Sequence, residues 1–139
     1  MKDGQEGSEA MLRFCPLASG SSGNSTYIGS EQTHLLIDAG ISGKKVMEAL
    51  ASLSLTGEML SGIFVTHEHS DHIKGIGVLS RRFDLPVYAT EGTWQAMEGC
   101  IGSIARKNKK IIYSGENTVF ADFILSPFAI PHDPAQPVG

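Results

Sequence analysis

The sequence has few cysteines, no long apolar run and no apolar N-terminal segment. Its two cysteines, Cys15 and Cys100, are far apart and form no C-x-x-C pair, which predicts free, buried thiols in a reducing compartment. No apolar run approaches the roughly 20 residues of a membrane span. The first residues are polar and acidic, unlike a secretion signal. These absences argue against a secreted enzyme and predict a cytoplasmic protein that does not enter a membrane.

An excess of basic charge is also missing. The 139 residues include 11 Lys and Arg against 15 Asp and Glu, for a net charge of −4. This net charge does not predict a general electrostatic attraction for nucleic acid, but it is compatible with a local basic patch. The cluster Arg106, Lys107, Lys109 and Lys110 is either a solvated helix end or a set of phosphate contacts.

Composition and periodicity predict one α/β unit. With 41% hydrophobic and 19% charged residues, the chain can bury a core. Residues 1–10 are expected to be a disordered leader, and 11–139 one folded unit. Apolar and β-branched runs predict strands at 11–18, 26–28, 34–38, 62–65, 87–89, 111–113, 118–120 and 123–125. Helical spacing predicts helices at 42–53 and 73–83, and a third from the cap Thr90 to the basic residues 107–110. Strands that run together and then alternate with helices indicate a mixed sheet.

The segment Thr66-His67-Glu68-His69-Ser70-Asp71-His72 concentrates the candidate chemistry. It follows the apolar strand 62–65, so strand alternation predicts that His67 and His69 project to the same side. Asp71 and His72 then fall at the turn before the next helix. Imidazole and carboxylate groups are suitable ligands for zinc or iron. Because the pair His67 and His69 points in a different direction from the pair Asp71 and His72, two adjacent metal ions are favoured over one. The metalloprotease motif H-E-x-x-H is excluded, because Asp71 stands where its second histidine is required.

The spacing His67-x-His69-x-Asp71-His72 after an apolar strand resembles the H-x-H-x-D-H signature of the metallo-β-lactamase-fold hydrolases. The Ser- and Gly-rich run at 19–25 after the first strand resembles the YycJ/WalJ-like branch of that family, as does the segment 131–133. The resemblance covers nearly all of 11–139. It implies an α/β (α+β mixed) fold, a metallo-β-lactamase-like αββα sandwich.

The resemblance also implies a set of metal ligands. His67, His69 and His132 would hold a first divalent ion, and Asp71 and His72 would begin the shell of a second. Zinc is the expected metal, with manganese and iron as alternatives. Asp71 would also orient the attacking water or accept its proton.

Two further elements are candidates for the site. The resemblance implies that Asp38 orients the loop that carries the metal ligands without binding the metal itself. The alternative is that Asp38 simply belongs to an ordinary turn. Ser21, Ser22 and Asn24 form a possible substrate loop that binds anions, or else a flexible hairpin. His34 is expected to be a surface residue.

The family pattern is incomplete within 139 residues. A bridging Asp and a final His of the second metal would follow Gly139, so this chain supplies a full shell for only one ion. We expect the N-terminal half of the domain, partnered by the missing half-domain or by another copy in a homo-oligomer. Without that partner, the apolar face of the sheet would be exposed, so we expect it to need a covering layer. The residues concerned are Leu36, Ile63, Val65, Ile124 and Ile130.

The expected function is a metal-dependent hydrolase that uses a metal-activated hydroxide. Within the branch that the sequence resembles, this means a phosphodiesterase or nuclease acting on nucleic acid. One alternative is an iron-dependent oxidoreductase on the same fold, similar to sulfur dioxygenases. The other is a non-catalytic metal-binding fragment.

Overall fold

A mixed sheet of six strands organises the chain. The computed structural model describes residues 12–20, 22–120 and 124–127. The strands lie in chain order, β1-β2-β3-β4-β5-β6. The first two pairings are antiparallel and the last three are parallel. They are β1 (Arg13–Ala18), β2 (Ser25–Gly29), β3 (His34–Ile37), β4 (Gly62–Phe64), β5 (Val87–Ala89) and β6 (Lys109–Ile111). A separate antiparallel pair follows, β7 (Thr118–Val119) and β8 (Ile124–Leu125).

The helices connect the parallel strands, as the alternating pattern predicts. They are α1 (Gly43–Ser52), α2 (Ser70–Ile73), α3 (Ile76–Phe83) and α4 (Glu91–Ile101), with single 3₁₀ turns at Gly57–Met59 and Arg106–Asn108. Both predicted N-caps are confirmed. The Ser42 side chain accepts from the backbone N–H of Lys45, and Thr90 accepts from that of Thr93. Each cap satisfies a donor that the first turn leaves unpaired.

Two predicted helix boundaries are wrong. The helix expected over 73–83 is replaced by two helices, α2, which begins earlier at Ser70, and α3, whose N-cap is Gly75. Gly75 lies so close to the carbonyl oxygen of Ile41 that an added Cβ would clash with it. The third helix stops at Ile101, since Gly102 adopts φ +78° and leaves the helical region. The basic residues at 107–110 therefore do not close a helix; they enter a 3₁₀ turn and strand β6.

The helices α1, α3 and α4 pack on one face of the sheet. The core there includes Leu36, Ile63 and Val65, which are at most 1% exposed. The expectation that these three need a further covering layer is therefore wrong, because helices already cover them. The opposite face has a smaller cluster of Leu35, Phe64 and Ile112, with partly buried side chains from β8 and its neighbourhood packed against it.

Two smaller expectations about burial are wrong. Cys15 is half-buried and Cys100 is exposed, so neither free thiol is a core residue. His34 is buried, and its Nδ1 lies 2.6 Å from the Tyr27 hydroxyl. Its partner across the β2–β3 pairing is Gly29, so no opposing side chain competes for the space. Ile124 is 55% exposed, which is consistent with the predicted need for a covering layer at that position. Ile130 and the predicted leader lie outside the described residues.

Among the described helices, none combines the length and the hydropathy that crossing a bilayer requires.

Candidate metal centre

The site forms where two parallel strands end side by side. β3 and β4 are parallel neighbours, so their carboxyl ends meet at the same edge of the sheet. Asp38 follows β3 directly, and its backbone N–H donates to the Phe64 carbonyl at the end of β4, at 2.6 Å. The histidine segment begins just after β4. Residues that leave neighbouring parallel strands at this edge are brought together by the topology alone.

Three predicted ligands converge. One ligand atom from each of His67, His69 and Asp71 lies within 4.8 Å of the other two. The prediction that strand alternation aligns the histidines is wrong, because β4 ends at Phe64 and both lie in the following loop. Asp71 stands in the first turn of α2, whose N-cap is His69. Two imidazoles and a carboxylate so close together are a donor set that fits zinc or a similar divalent ion.

His72 is held by a buried carboxylate. Its Nδ1 lies 2.6 Å from Asp38 Oδ2, and Asp38 is 4% exposed. A carboxylate only accepts, so the imidazole donates from Nδ1 and keeps its lone pair on Nε2 in the neutral ring. His72 Nε2 is 3.7 Å from Asp71 Oδ2 and thus faces the cluster. Ligand histidines commonly have such a carboxylate on the other nitrogen.

Thr66 links this carboxylate to the histidine loop. Its backbone N–H donates to Asp38 Oδ1 and its hydroxyl to Oδ2, both at 2.7 Å. The same hydroxyl oxygen is 3.1 Å from His67 Nδ1. One buried carboxylate therefore fixes the start of the loop and the orientation of His72. Thr66 was not among the site residues predicted from the sequence, although its position between the strand and the histidine motif was an available signal.

Asp38 adopts an unusual backbone conformation. Its φ of 64° lies in the left-handed region, which costs a residue with a Cβ about 1–2 kcal/mol. Its two oxygens accept hydrogen bonds from Thr66 and His72, and these contacts offset that strain. Backbone strain that is retained beside clustered polar side chains is a frequent property of functional sites.

Asn24 attaches the Ser- and Gly-rich loop to the site. Its backbone N–H donates to the Asp71 carbonyl at 2.7 Å, and its Nδ2 lies 3.2 Å from Asp71 Oδ2. Its side chain also closes the loop onto Gly20, through Oδ1 at 3.2 Å and Nδ2 at 3.0 Å. Ser22 is exposed at the loop tip, whereas Ser21 lies outside the described residues. In this structure Asn24 thus positions Asp71.

A close backbone contact, also missed from the sequence, fixes Asp71 from the other side. A Cβ added to Gly40 would lie 1.9 Å from the Asp71 carbonyl oxygen. Gly40 also donates its N–H to the Asn24 carbonyl, at 2.8 Å. Only glycine leaves room for three chain segments to meet here.

The two central histidines have opposite pKa shifts in the metal-free protein. Burial lowers the pKa of His67 below 6.5, and the neighbouring His72 adds to the effect. Burial also acts to lower the pKa of His72, but the hydrogen bond and charge of Asp38 and the charge of Asp71 outweigh it and raise that pKa. His67 therefore offers a neutral imidazole at pH 7, which is the form that binds metals.

The structure brings together Asp38, Asn24 and the predicted ligands of the histidine segment. His132, implied as the third ligand of the first ion, lies outside the described residues. The basic residues Lys107 and Lys109 form ion pairs with Asp84 and Glu98.

This fold and histidine segment define a known class of protein. A family model described as the metallo-beta-lactamase superfamily matches residues 18–138, and the chain belongs to that superfamily. Within it, the chain is 50% identical over 127 residues to the exodeoxyribonuclease YycJ of Bacillus anthracis, covering 91% of this chain and 48% of that protein. It is 44% identical over 132 residues to the exodeoxyribonuclease WalJ of Streptococcus pneumoniae, covering 94% and 49%.

Solved structures agree on the fold. The MIM-2 metallo-beta-lactamase superposes with a TM-score of 0.75 at 18% identity, over 91% of this chain and 52% of that one. A subclass B3 metallo-beta-lactamase from a soil metagenome library gives 0.74 at 21% identity, again over 91% and 52%. The chain thus spans about half the length of the relatives that it matches.

Proposed function

We propose that the protein containing this chain is a metal-dependent nuclease that hydrolyses phosphodiester bonds in DNA. The observation that carries the proposal is the convergence of His67, His69 and Asp71, with His72 held by Asp38, at the edge of the sheet. Two relatives named as exodeoxyribonucleases match over nine-tenths of this chain and support DNA as the substrate.

We propose that the site holds two divalent ions, with zinc as the metal; the group His67, His69 and Asp71 supports metal binding. His67 and His69 would hold the first, with His132 as the proposed third ligand, and Asp71 and His72 would contribute to the second. When bound, such ions supply Lewis acidity that activates a water molecule and neutralises charge on the phosphate. We propose that the other ligands come from outside the 139 residues, since the relatives are about twice as long. A second copy of the chain is the alternative source.

The chain's own residues set the orientation of the reacting groups. The Asp71 carboxylate is half-buried, and Asn24 and the backbone contact at Gly40 fix its position. In the proposed reaction it accepts the proton of the attacking water. Asp38 holds His72 with Nε2 towards the cluster, so that this imidazole does not have to reorient.

None of the relatives reported above favours the iron-dependent oxidoreductase. A free, exposed thiol at Cys100 supports a reducing compartment, and we propose the cytoplasm. An assay of DNA hydrolysis distinguishes the nuclease from a non-catalytic metal-binding fragment.

The test is DNA hydrolysis by the whole gene product, because the relatives extend beyond this chain. End-labelled single-stranded and double-stranded DNA are incubated with zinc-, manganese- or iron-loaded protein, and the products are resolved by length. We expect release of nucleotides from an end. Asp71→Asn should lower kcat by about 100-fold or more, since it removes a proton acceptor.

The matched control is Asp84→Asn, an equivalent change in an exposed Asp that pairs with Lys107. It should keep full activity, and Asp71→Asn should melt within a few degrees of the wild type. Absence of DNA hydrolysis with every metal would refute the proposal. Full activity of Asp71→Asn would refute the role of Asp71.

A further inference from the structure

A groove of about 490 Å³ opens beside the candidate metal centre. Its walls come from Ser22 of the Ser- and Gly-rich loop, from Glu68, Asp71 and Lys74 of the histidine segment and α2, and from Cys100 of α4. We call it the Cys100 groove. Asp71 belongs both to this groove and to the metal cluster, so the groove adjoins the proposed point of hydrolysis.

We propose that the Cys100 groove binds the sugar–phosphate backbone of a DNA strand next to the scissile phosphate, and that Lys74 contacts one phosphate there. The inference rests on the proposed function and adds the path of the substrate and a residue that binds it. Lys74 is a substrate-binding residue in this proposal, while the metal ligands carry the chemistry.

The position of Lys74 follows from the local helix. Lys74 is the C-cap of α2 and has helical angles, φ −54° and ψ −40°. It follows Asp71 by three residues, so the two side chains share one face, with Cβ atoms about 5–6 Å apart. The Lys74 ammonium stands at the end of a flexible four-carbon chain and can reach into the groove beside Asp71. A strand with one phosphate at the metal cluster therefore has the next within reach of Lys74.

The Lys74 ammonium is not committed to another group. Within the described residues it makes no hydrogen bond or ion pair, although Glu68 and Asp71 line the same groove. Lys107 and Lys109, by contrast, already form ion pairs at 2.8 and 2.6 Å.

The groove is not basic: it carries two carboxylates, Glu68 and Asp71, in a protein whose net charge is −4. The proposed metal ions would neutralise Asp71, which leaves Glu68 and Lys74 as the charged side chains of the groove. Lys74 is the single basic side chain among the described residues that line it. A polyanion entering there needs a fixed cation beyond the metal ions, and Lys74 supplies it. The exposed hydroxyls of Ser22 and Ser70 add neutral donors for phosphate oxygens.

The first experiment measures binding without hydrolysis. The zinc-loaded whole gene product is titrated into a fluorescent single-stranded oligonucleotide with phosphorothioate linkages, at several salt concentrations. Lys74→Gln should weaken binding about three- to fivefold at low salt and reduce the slope of log K against log salt by about 0.7. Lys74→Arg should retain both. The control Lys44→Gln removes an exposed lysine of α1 that lines a different cavity, and it should match the wild type.

A second measurement locates the strand. Cys100 is exposed in the groove and Cys15 is half-buried on β1, so alkylation of both thiols is followed in the same sample by peptide mass spectrometry. The oligonucleotide should slow alkylation of Cys100 several-fold and leave Cys15 unchanged. Lys74→Gln should need more oligonucleotide for the same protection.

The outcomes separate this inference from the proposed function. If the wild type hydrolyses DNA but Lys74→Gln binds like Lys44→Gln, the assignment of Lys74 is wrong and the nuclease proposal stands. Equal alkylation of Cys100 with and without DNA would overturn the groove as the strand path. If the wild type neither binds nor hydrolyses DNA, both proposals fall.

Discussion

Replacing Asp38 by Asn tests whether the buried carboxylate organises the metal centre. The substitution is nearly isosteric. Asn also tolerates the left-handed φ of 64° observed here, so the backbone is kept. The substitution replaces one acceptor oxygen of the Asp38 carboxylate by an NH₂ donor and removes the negative charge of the side chain. The new NH₂ group cannot accept from either the Thr66 hydroxyl or His72 Nδ1, both of which now lie within 2.7 Å of Oδ2.

The size of the effect follows from the contacts that are lost. Hydrogen bonds to a charged group contribute about 1.5–3 kcal/mol each, and Asn can rescue part of this by changing the tautomer of His72. We expect a loss of about 2–3 kcal/mol in the free energy of unfolding. For a protein twice this length, that lowers the melting temperature by about 3–5 °C. Zinc affinity should fall by about 10–100-fold, because the imidazole loses its orienting partner.

The effect also depends on pH. In the metal-free protein the pKa of His72 is raised above 6.5. Its interaction with Asp38 therefore stabilises the fold fully below pH 6.5 and is lost as the pH rises through the raised pKa. The stability difference between the wild type and Asp38→Asn, measured in chelator, should be larger at pH 6 than at pH 8.

Two measurements check these expectations. They are chelator competition for zinc affinity, and thermal melting in the presence of chelator. The control is Asp84→Asn, another Asp at positive φ, 56°. Its Oδ2 accepts from the exposed Lys107 and its Oδ1 from Asn108, and an Asn side chain keeps one oxygen for Asn108. This control should change neither zinc affinity nor stability appreciably. Unchanged zinc affinity in Asp38→Asn would refute the argument that Asp38 positions a ligand.

The remaining predictions concern titration, packing and stoichiometry. In the metal-free protein, NMR should find His72 titrating above 6.5 and His67 below it; the reverse order would contradict the assigned contacts. Gly40→Ala should destabilise the fold by about 1–3 kcal/mol by forcing the Asp71 segment away, whereas Gly99→Ala, in α4 with open space around it, should be neutral or stabilising in thermal melts. Calorimetric titration of the 139-residue chain with zinc should show about one strong equivalent; two equally tight equivalents would contradict the unequal ligand supply.

Local sequence signals predicted the elements that position the site. Ser42 and Thr90 were predictable as helix N-caps, because their side chains accept hydrogen bonds from backbone N–H groups of the first turn. The histidine segment is likewise predictable, since metal chemistry restricts the residue types there, although β4 ends at Phe64, one residue before the predicted end. These features depend on neighbours in sequence, and a single chain shows them directly.

Features that depend on distant partners were not predictable in the same way. His34 is buried because Gly29, across the β2–β3 pairing, leaves space beside the Tyr27 hydroxyl. Asn24 serves Asp71, 47 residues away, through contacts that no local pattern marks. The basic residues at 107–110 are typical of the C-terminal end of a helix, but the helix α4 ends several residues earlier, at Ile101, with Gly102 as its C-cap. Each outcome was set by tertiary packing that overrode a reasonable local preference.

The most direct test of the central claim is the position of the metal. Crystals of the whole gene product grown with zinc, with diffraction data collected on both sides of the zinc absorption edge, give an anomalous difference map that locates each ion. We predict a peak within bonding distance of His67 and His69, and a second peak beside Asp71 and His72. A fully zinc-loaded protein whose anomalous peaks lie away from these four side chains would contradict the account.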